Sequence, residues 1–346
     1  MSKYKHYVAV LKGKRAEFPA LGALKDKANI TPLIEAIPSA TDKDIPRRMS
    51  AVWSPDWEYY IDFGFLDDPD DTTDPAPESH PLRKCFAEVG KKNQMAIPVT
   101  SLARSRGYQS AVKKVAAEHK NGIAIRLTYD DFEDDDELDG LLAAATDYFK
   151  LDASQIDLFL DLGSIANSSA GAIAQMHRAN IDLIPDLNKW RTLTVLASAF
   201  PLSLAPLVRN KWNPAGRHDW RGWKTLVTGS RPPRRLPAYG DYAIAHPDLP
   251  PEGRATILAQ LRYATVDNWL IWKGENVFKH GFDQFLNICK DLIKLPEYCG
   301  PSFSQGDAEI QSKATTDGSP GNAETWRRIG TNHHLEMVLD QIANLP

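Results

Sequence analysis

The feature that most constrains this chain is an alternation of two patterns. Eight short β-rich apolar runs are separated by stretches of helical character. The runs are "YVAVLK" from Tyr7, "ITPLIEAI" from Ile30, "YYIDFGF" from Tyr59, "AIPVTSL" from Ala96, "GIAIRLT" from Gly122, "IDLFLDLGSI" from Ile156, "TLTVLASAF" from Thr192 and "GDYAIAHPDL" from Gly240. Between them, "HPLRKCFAEVGKKN" carries an early proline and "YQSAVKKVAAEHKNG" stops on Asn-Gly, both helix boundary signals. Strands that alternate with helices pair in parallel, because a parallel crossover needs a helix-length connection. Eight such units predict an α/β fold, a closed (β/α)8 TIM-like barrel, with an open doubly wound sheet as the alternative. No G-x-G-x-x-G follows any run, so the dinucleotide-binding version of that alternative lacks its phosphate loop.

The pattern changes after the eighth run. "RYATVDNWLIWKGE", Arg262 to Glu275, reads as an appended β-hairpin within 255–280. A helix, "GFDQFLNICKDLIKL", a polar stretch from Tyr298 to Gly321 and a terminal helix follow, so 281–346 is expected to complete the barrel. The whole chain, 1–346, then forms one barrel-like domain, as α/β barrels of this size do. "LDDPDDTTDPAPESHP", Leu66 to Pro81, is too polar and proline-rich to pack, and is expected to be a mobile loop.

Composition narrows the partners. Net charge is −4 with a pI near 6.2, so no global field draws nucleic acid. Three cysteines, Cys85, Cys289 and Cys299, form no C-x-x-C pair, and no signal peptide opens the chain. A reducing cytoplasm is the expected location. The longest uncharged run, Thr192 to Val208, is short for a membrane span and holds two prolines, so no membrane partner is expected.

Within a barrel, alternate strand residues face the helices and should be apolar; the others point inward. Ile61 and Phe63 are the apolar set of the third run, which turns Tyr60 and Asp62 inward. Ile123, Ile125 and Leu127 leave Arg126 and Thr128 inside. Leu158, Leu160 and Leu162 leave Phe159 and Asp161. The same rule puts Glu35, Thr100 and Ser198 inside, while Lys12 and Lys14 sit at the end of the ambiguous first run. Barrel interiors prefer Val, Ile and Leu, and buried charges are costly unless paired. Charges converging where strands end therefore predict a polar site at the catalytic face, with an internal ion-pair network as the bland alternative. Lys12, Glu35, Asp62, Arg126 and Asp161 are the catalytic candidates. Lys14, Thr100 and Ser198 are candidate ligand contacts. The carboxylates could hold a divalent metal, or act as an acid/base pair on a sugar, and the cations could clamp phosphate oxygens. His246, ending the eighth run, is a rim candidate. The acidic run Tyr129 to Gly140 lacks the order of a calcium loop and reads as a solvated helix start. Trp220 and Trp223 read as core.

Taken together, "YVAVLKGKRAEFPAL", "ITPLIEAI", "FPLSL", "RHDWRGW", "GDYAIAHPDL", "RYATVDNWLIWKGE", "CGPSFSQGDAEI" and "GNAETWRRIGTNHHLEMV" resemble the Beta protein family of phage satellites and prophages. The resemblance runs over nearly the whole chain. It implies a barrel-like fold and a place in an anti-phage defence cassette beside a toxic or effector protein, and it implies no reaction. It also implies that the terminal "NHH" is part of a recurring pattern. Asn332 is expected to cap a helix starting there, with His333 at the positive helix end as a neutral acid/base group. That helix would bring Asn332 and His333 to the rim beside Asp241, His246 and Asp307. Two functional classes follow: an enzyme acting on a phosphate-bearing or nucleotide-like ligand, or a non-catalytic sensor of a ligand or partner protein.

Overall fold

In the computed structural model, residues 4–38, 44–68, 80–133, 135–250, 257–316 and 318–345 are described. Eight parallel strands close a barrel. They are β1 (Tyr7–Leu11), β2 (Ile30–Glu35), β3 (Tyr59–Asp62), β4 (Ala96–Thr100), β5 (Ile123–Leu127), β6 (Ile156–Ser164), β7 (Thr192–Ser198) and, after β8 (Trp212–Gly216) outside the barrel, β9 (Ala238–Asp241). β9 closes on β1 in register, Tyr239 beside Tyr7. The connecting helices are α1 (Glu17–Gly22), α2 (Asp44–Met49), α3 (Pro81–Lys91), α4 (Arg106–His119), α5 (Asp135–Phe149), α6 (Ala170–Leu183) and α7 (His218–Thr228).

Local chemistry sets these boundaries. Pro81 opens α3, where its missing N–H costs nothing, and His80 Nδ1 accepts from Leu82 N at 3.2 Å. Ser105 Oγ caps α4 by accepting from Tyr108 N at 3.1 Å. The turn from α4 into β5 needs Gly122: its φ is +73°, and a Cβ would strike the Gln155 carbonyl. Leu82, Cys85, Phe86 and Val89 give α3 one buried face at helical spacing.

The barrel sits between two apolar layers. Val8, Val10, Leu33, Tyr60, Ile97, Val99, Ala124, Phe159, Leu196 and Tyr242 fill its interior. Tyr7, Ile34, Ile61, Ile125, Leu158, Leu160 and Val195 face the helices, as does Trp223 of α7 from the other side. With both faces covered, the strands are almost wholly buried.

The appended hairpin is larger than expected. β10 (Leu258–Ala264) and β11 (Asn268–Asn276) pair antiparallel, and β11 also pairs with β8, giving a three-stranded sheet. β8 escaped notice because "WNPAG" has a proline and no alternation. Then come α8 (Val277–His280), α9 (Gln284–Leu292), α10 (Gln305–Thr315) and α11 (Ala323–Ala343). Ala259, Leu261 and Tyr263 of β10 share a second core with Ile288, Ile310, Trp326 and Ile329. The opposite face of β10 carries Gln260 and Arg262.

α11 overturns the expected helix start. It begins ten residues before His333, capped by Asn322, whose Oδ1 accepts from Thr325 N at 3.1 Å. Thus Asn332, His333 and His334 lie in mid-helix, far from any helix-end dipole. The signal misread as a start, Gly330-Thr331-Asn332, exists for packing: a Cβ on Gly330 would come 2.8 Å from the Arg262 carbonyl of β10. Most of the expected mobile loop, residues 69–79, lies outside the described residues. No helix among the described residues is long and apolar enough to cross a membrane. All three cysteines are free.

Candidate functional site

Five inward-facing charges meet where the strands end. Arg126 of β5 is the hub. Its Nε lies 2.7 Å from Asp161 Oδ2 of β6, and Nη1 lies 2.9 Å from Glu35 Oε1 of β2 and 2.8 Å from Asp62 Oδ2 of β3. Its Nη2 donates to the Tyr242 hydroxyl. That hydroxyl in turn donates to Asp161 Oδ2 at 2.5 Å. Lys12 Nζ sits 2.6 Å from Glu35 Oε2 and donates to the Pro247 carbonyl. The period-2 geometry of each strand makes this convergence: Leu33, Tyr60, Ala124 and Phe159, two residues earlier, fill the apolar layer beneath.

The cluster balances its own charge. Glu35, Asp62 and Asp161 face Lys12, Arg126 and Arg104, the last reaching Asp62 Oδ1 at 3.3 Å. Burial pushes the Asp62 carboxyl up, but Arg104, Arg126 and the Gly64 N–H outweigh it, and the carboxyl is held below its usual range. Burial alone would lower Arg126; Tyr242, Asp161, Glu35 and Asp62 overcome that and raise it. All three nitrogens of Arg126 are engaged by the protein, so it has no free fork with which to clamp a phosphate. The same guanidinium occupies the space between the carboxylates. Among the described residues no group of three or more His, Cys, Asp or Glu is arranged to hold a metal ion.

Above the cluster opens a cavity of about 440 Å³, lined by Glu35, Asp62, Arg126, Asp161 and Tyr242 together with Phe65, Arg104, Tyr129, Asp130 and Asp248. Arg104 is loosely held, 3.4 Å from the Gly64 carbonyl and 3.3 Å from Asp62, and its Nε is buried without a partner among the described residues. Gly64 makes room for it, since a Cβ there would collide with the guanidinium. Tyr129 presents a ring that is 60% exposed.

Other expected site residues lie elsewhere. Thr100 faces outward and hydrogen-bonds Gln109 at 2.9 Å, because Ile97 and Val99 take the inward positions of β4. Ser198 points inward, as parity requires, but donates to the Ala245 carbonyl at 3.2 Å and does not line the cavity. His246 bonds Ser164 Oγ at 2.8 Å beside the mouth. Lys14 lines a different cavity. Asp241, Asp307, Asn332 and His333 are fully buried outside the barrel wall and line neither this cavity nor the one lined by Lys14. Asn332 accepts from Gly306 N at 2.8 Å and donates to the Ala20 carbonyl at 3.1 Å, tying α10 to α1. His333 bonds Asp307 Oδ2 and the Ala264 carbonyl, each at 2.7 Å, and stacks on Tyr263 at 3.8 Å. These groups join the C-terminal helices to barrel and sheet. His333 is therefore a packing residue and not a rim acid or base.

Sequence reasoning missed Arg104, Gly64, Tyr242 and Asp248. Tyr242 was within reach, since it follows the same inward alternation as Gly240 at the end of β9. Arg104 and Gly64 lie on loops, where no periodicity marks them.

No curated protein matches this chain. The sequence model of the Beta protein family matches residues 7–340, nearly the whole chain. With the barrel, the appended sheet and all but the end of α11 inside that match, the chain belongs to the Beta protein family.

Proposed function

We infer that this Beta protein is a cytoplasmic ligand-binding component of an anti-phage defence cassette, taking a phosphate-bearing or nucleotide-like molecule at the barrel mouth without turning it over. The observation that carries this reading is Arg104, a rim guanidinium with long contacts and an unpartnered buried Nε. A phosphate oxygen would give it a charge-assisted acceptor. The exposed Tyr129 ring and Phe65 offer flat apolar surface for a base, and Asp130 and Asp248 offer acceptors for its donors. Lys12 and Arg126 shape the floor and are spent on their own carboxylates.

Binding is favoured over catalysis for a physical reason. A general acid or base needs a lone pair or proton it can offer to the ligand. Each carboxylate of the floor is instead held by the protein's own cations, Glu35 by Lys12 and Arg126, Asp62 by Arg126 and Arg104, and Asp161 by Arg126. The bound state is then the signal, and its receiver is an effector or toxin of the same cassette.

The test is titration of the whole protein with mono-, di- and cyclic nucleotides, with recovery and analysis of the bound compound. At least one should bind and be recovered unchanged. Arg104→Gln should weaken it by about tenfold or more, the value of one charge-assisted contact. The same variant should lose phage protection in plaque assays while keeping its melting temperature. Unchanged affinity in Arg104→Gln would overturn the site, and a converted nucleotide would overturn the non-catalytic reading.

A further inference from the structure

A second cavity, of about 730 Å³, lies between the β1–α1 connection, the open face of β10 and the start of α11. Its lining has five cations, Lys14, Arg15, Arg48, Arg262 and Arg327, against one carboxylate, Glu324. Arg15 and Arg48 have weak exposed or long-range partners, Glu324 at 3.8 Å and Asp44 at 3.9 Å. The other three are the unusual ones. Arg262 spends its donors on neutral groups, the Ile244 carbonyl at 2.5 Å and Gln260 Oε1 at 3.2 Å, and stacks over Phe200. Among the described residues, the carboxylate paired with Arg327 is Glu17, its Oε1 4.0 Å away. Lys14 Nζ has no ion pair among the described residues.

Such clustering is costly. Burial first, and then Arg327, Arg262 and Lys12, lower the Lys14 amine to about 8, with only Glu17 opposing. Burial and Arg327 lower Arg262 to about 9. Nor is Glu17 a full counter-charge, since burial raises its carboxyl even against Arg327 and Lys14. The far wall is apolar: Phe285 stacks on Trp326 at 4.2 Å, with Phe282 beside it. A low-dielectric wall strengthens any anion contact made here. Half-buried like charges without partners are a standing cost, and an anion removes it.

We propose that this cavity is an oligophosphate-binding site, with Lys14, Arg262 and Arg327 as its ligands. Its lining shares no residue with that of the mouth. A smaller recess of about 110 Å³ shares Lys14, Arg262 and Arg327 with this cavity and Asp248 with the mouth. Three converging cations fit two or more linked phosphates better than one, because each can take its own oxygens. The site does not depend on the mouth's ligand.

The experiment is calorimetric titration of the full chain with inorganic pyrophosphate. Binding is expected, and Lys14→Gln and Arg327→Gln should each weaken it by about tenfold or more while Arg104→Gln leaves it unchanged. Both altered side chains are partly solvent-facing, so the fold should hold, and a matching unfolding curve checks that. Titration at pH 8 in buffers of different ionisation enthalpy should show about half a proton more taken up, or less released, by the parent than by Lys14→Gln, because an anion favours the charged amine. Absence of pyrophosphate binding would overturn the proposal. Loss of binding in Arg104→Gln with none in Lys14→Gln or Arg327→Gln would also overturn it, moving the oligophosphate to the mouth and leaving the mouth reading intact.

Discussion

His334 Nε2 lies 2.8 Å from Asp241 Oδ2, a contact made where α11 covers the seam between β9 and β1. Both side chains are sealed from solvent. Tyr7 donates to Asp241 Oδ1 at 2.5 Å, Tyr239 to Oδ2 at 3.0 Å, and Ala243 N to Oδ1 at 2.9 Å. Burial pushes the Asp241 carboxyl up, but His334 and these donors outweigh it and hold it low. Burial lowers the His334 imidazole more than Asp241 raises it. Its Nδ1 has no partner among the described residues, so a charged ring would bury a second, unsatisfied N–H. The neutral ring with hydrogen on Nε2 is the form that fits. The terminal helix is thus fastened to the barrel through one carboxylate.

Removing that fastening should unfold the protein readily. His334→Ala leaves Asp241 as a buried carboxylate short of a donor and opens a cavity. The expected loss is about 2–4 kcal/mol, from a lost hydrogen bond to a charged group and the cavity left behind. Urea denaturation at pH 7 measures it, and a loss below 1 kcal/mol would show that the pair does not anchor α11.

Acid stability should depend on His177. This α6 histidine is buried, and its imidazole is lowered by burial to about 3, against Asp161. A depressed imidazole is neutral in the fold and charged in the unfolded chain below about 6.5. Its contribution is present above that value and lost as pH falls. Between pH 7 and pH 5 the parent should lose about 2 kcal/mol relative to His177→Leu. Paired urea curves at the two pH values check the sign, and a gap that stays constant would contradict it.

Arg126 should be worth more to folding than its neighbours. Arg126→Met leaves Glu35, Asp62 and Asp161 at the barrel end with Lys12 and Arg104 alone. The expected cost at pH 7 is about 3–5 kcal/mol. In the parent, Arg104 and Arg126 hold the Asp62 carboxyl below its usual range, a stabilisation that is lost as pH falls, so the deficit of the variant should shrink as pH falls toward 4. A deficit that grows on acidification would rule out this electrostatic origin.

Alternation determined eight parallel strands and their charged ends, because a strand covered on both faces must bury a residue at every position and only its inward end can carry charge; that they close, β9 onto β1, only the tertiary structure decided. Glu35, Asp62, Arg126 and Asp161 were legible for that reason. Thr100 was not, since parity on β4 turns on Ile97 and Val99, both as apolar as their neighbours. Arg104, Arg262 and Arg327 reach their cavities from a loop, an appended strand and a helix distant in sequence, and no local period links them. The His-His pair shows the same divide. "GTNHH" carries the small and capping residues of a helix start, and only the packed structure reveals that Gly330 admits β10, that Asn332 bridges two helices, and that each histidine answers a carboxylate from a different element. Tertiary contacts, each satisfying a buried polar group, decided what those residues do.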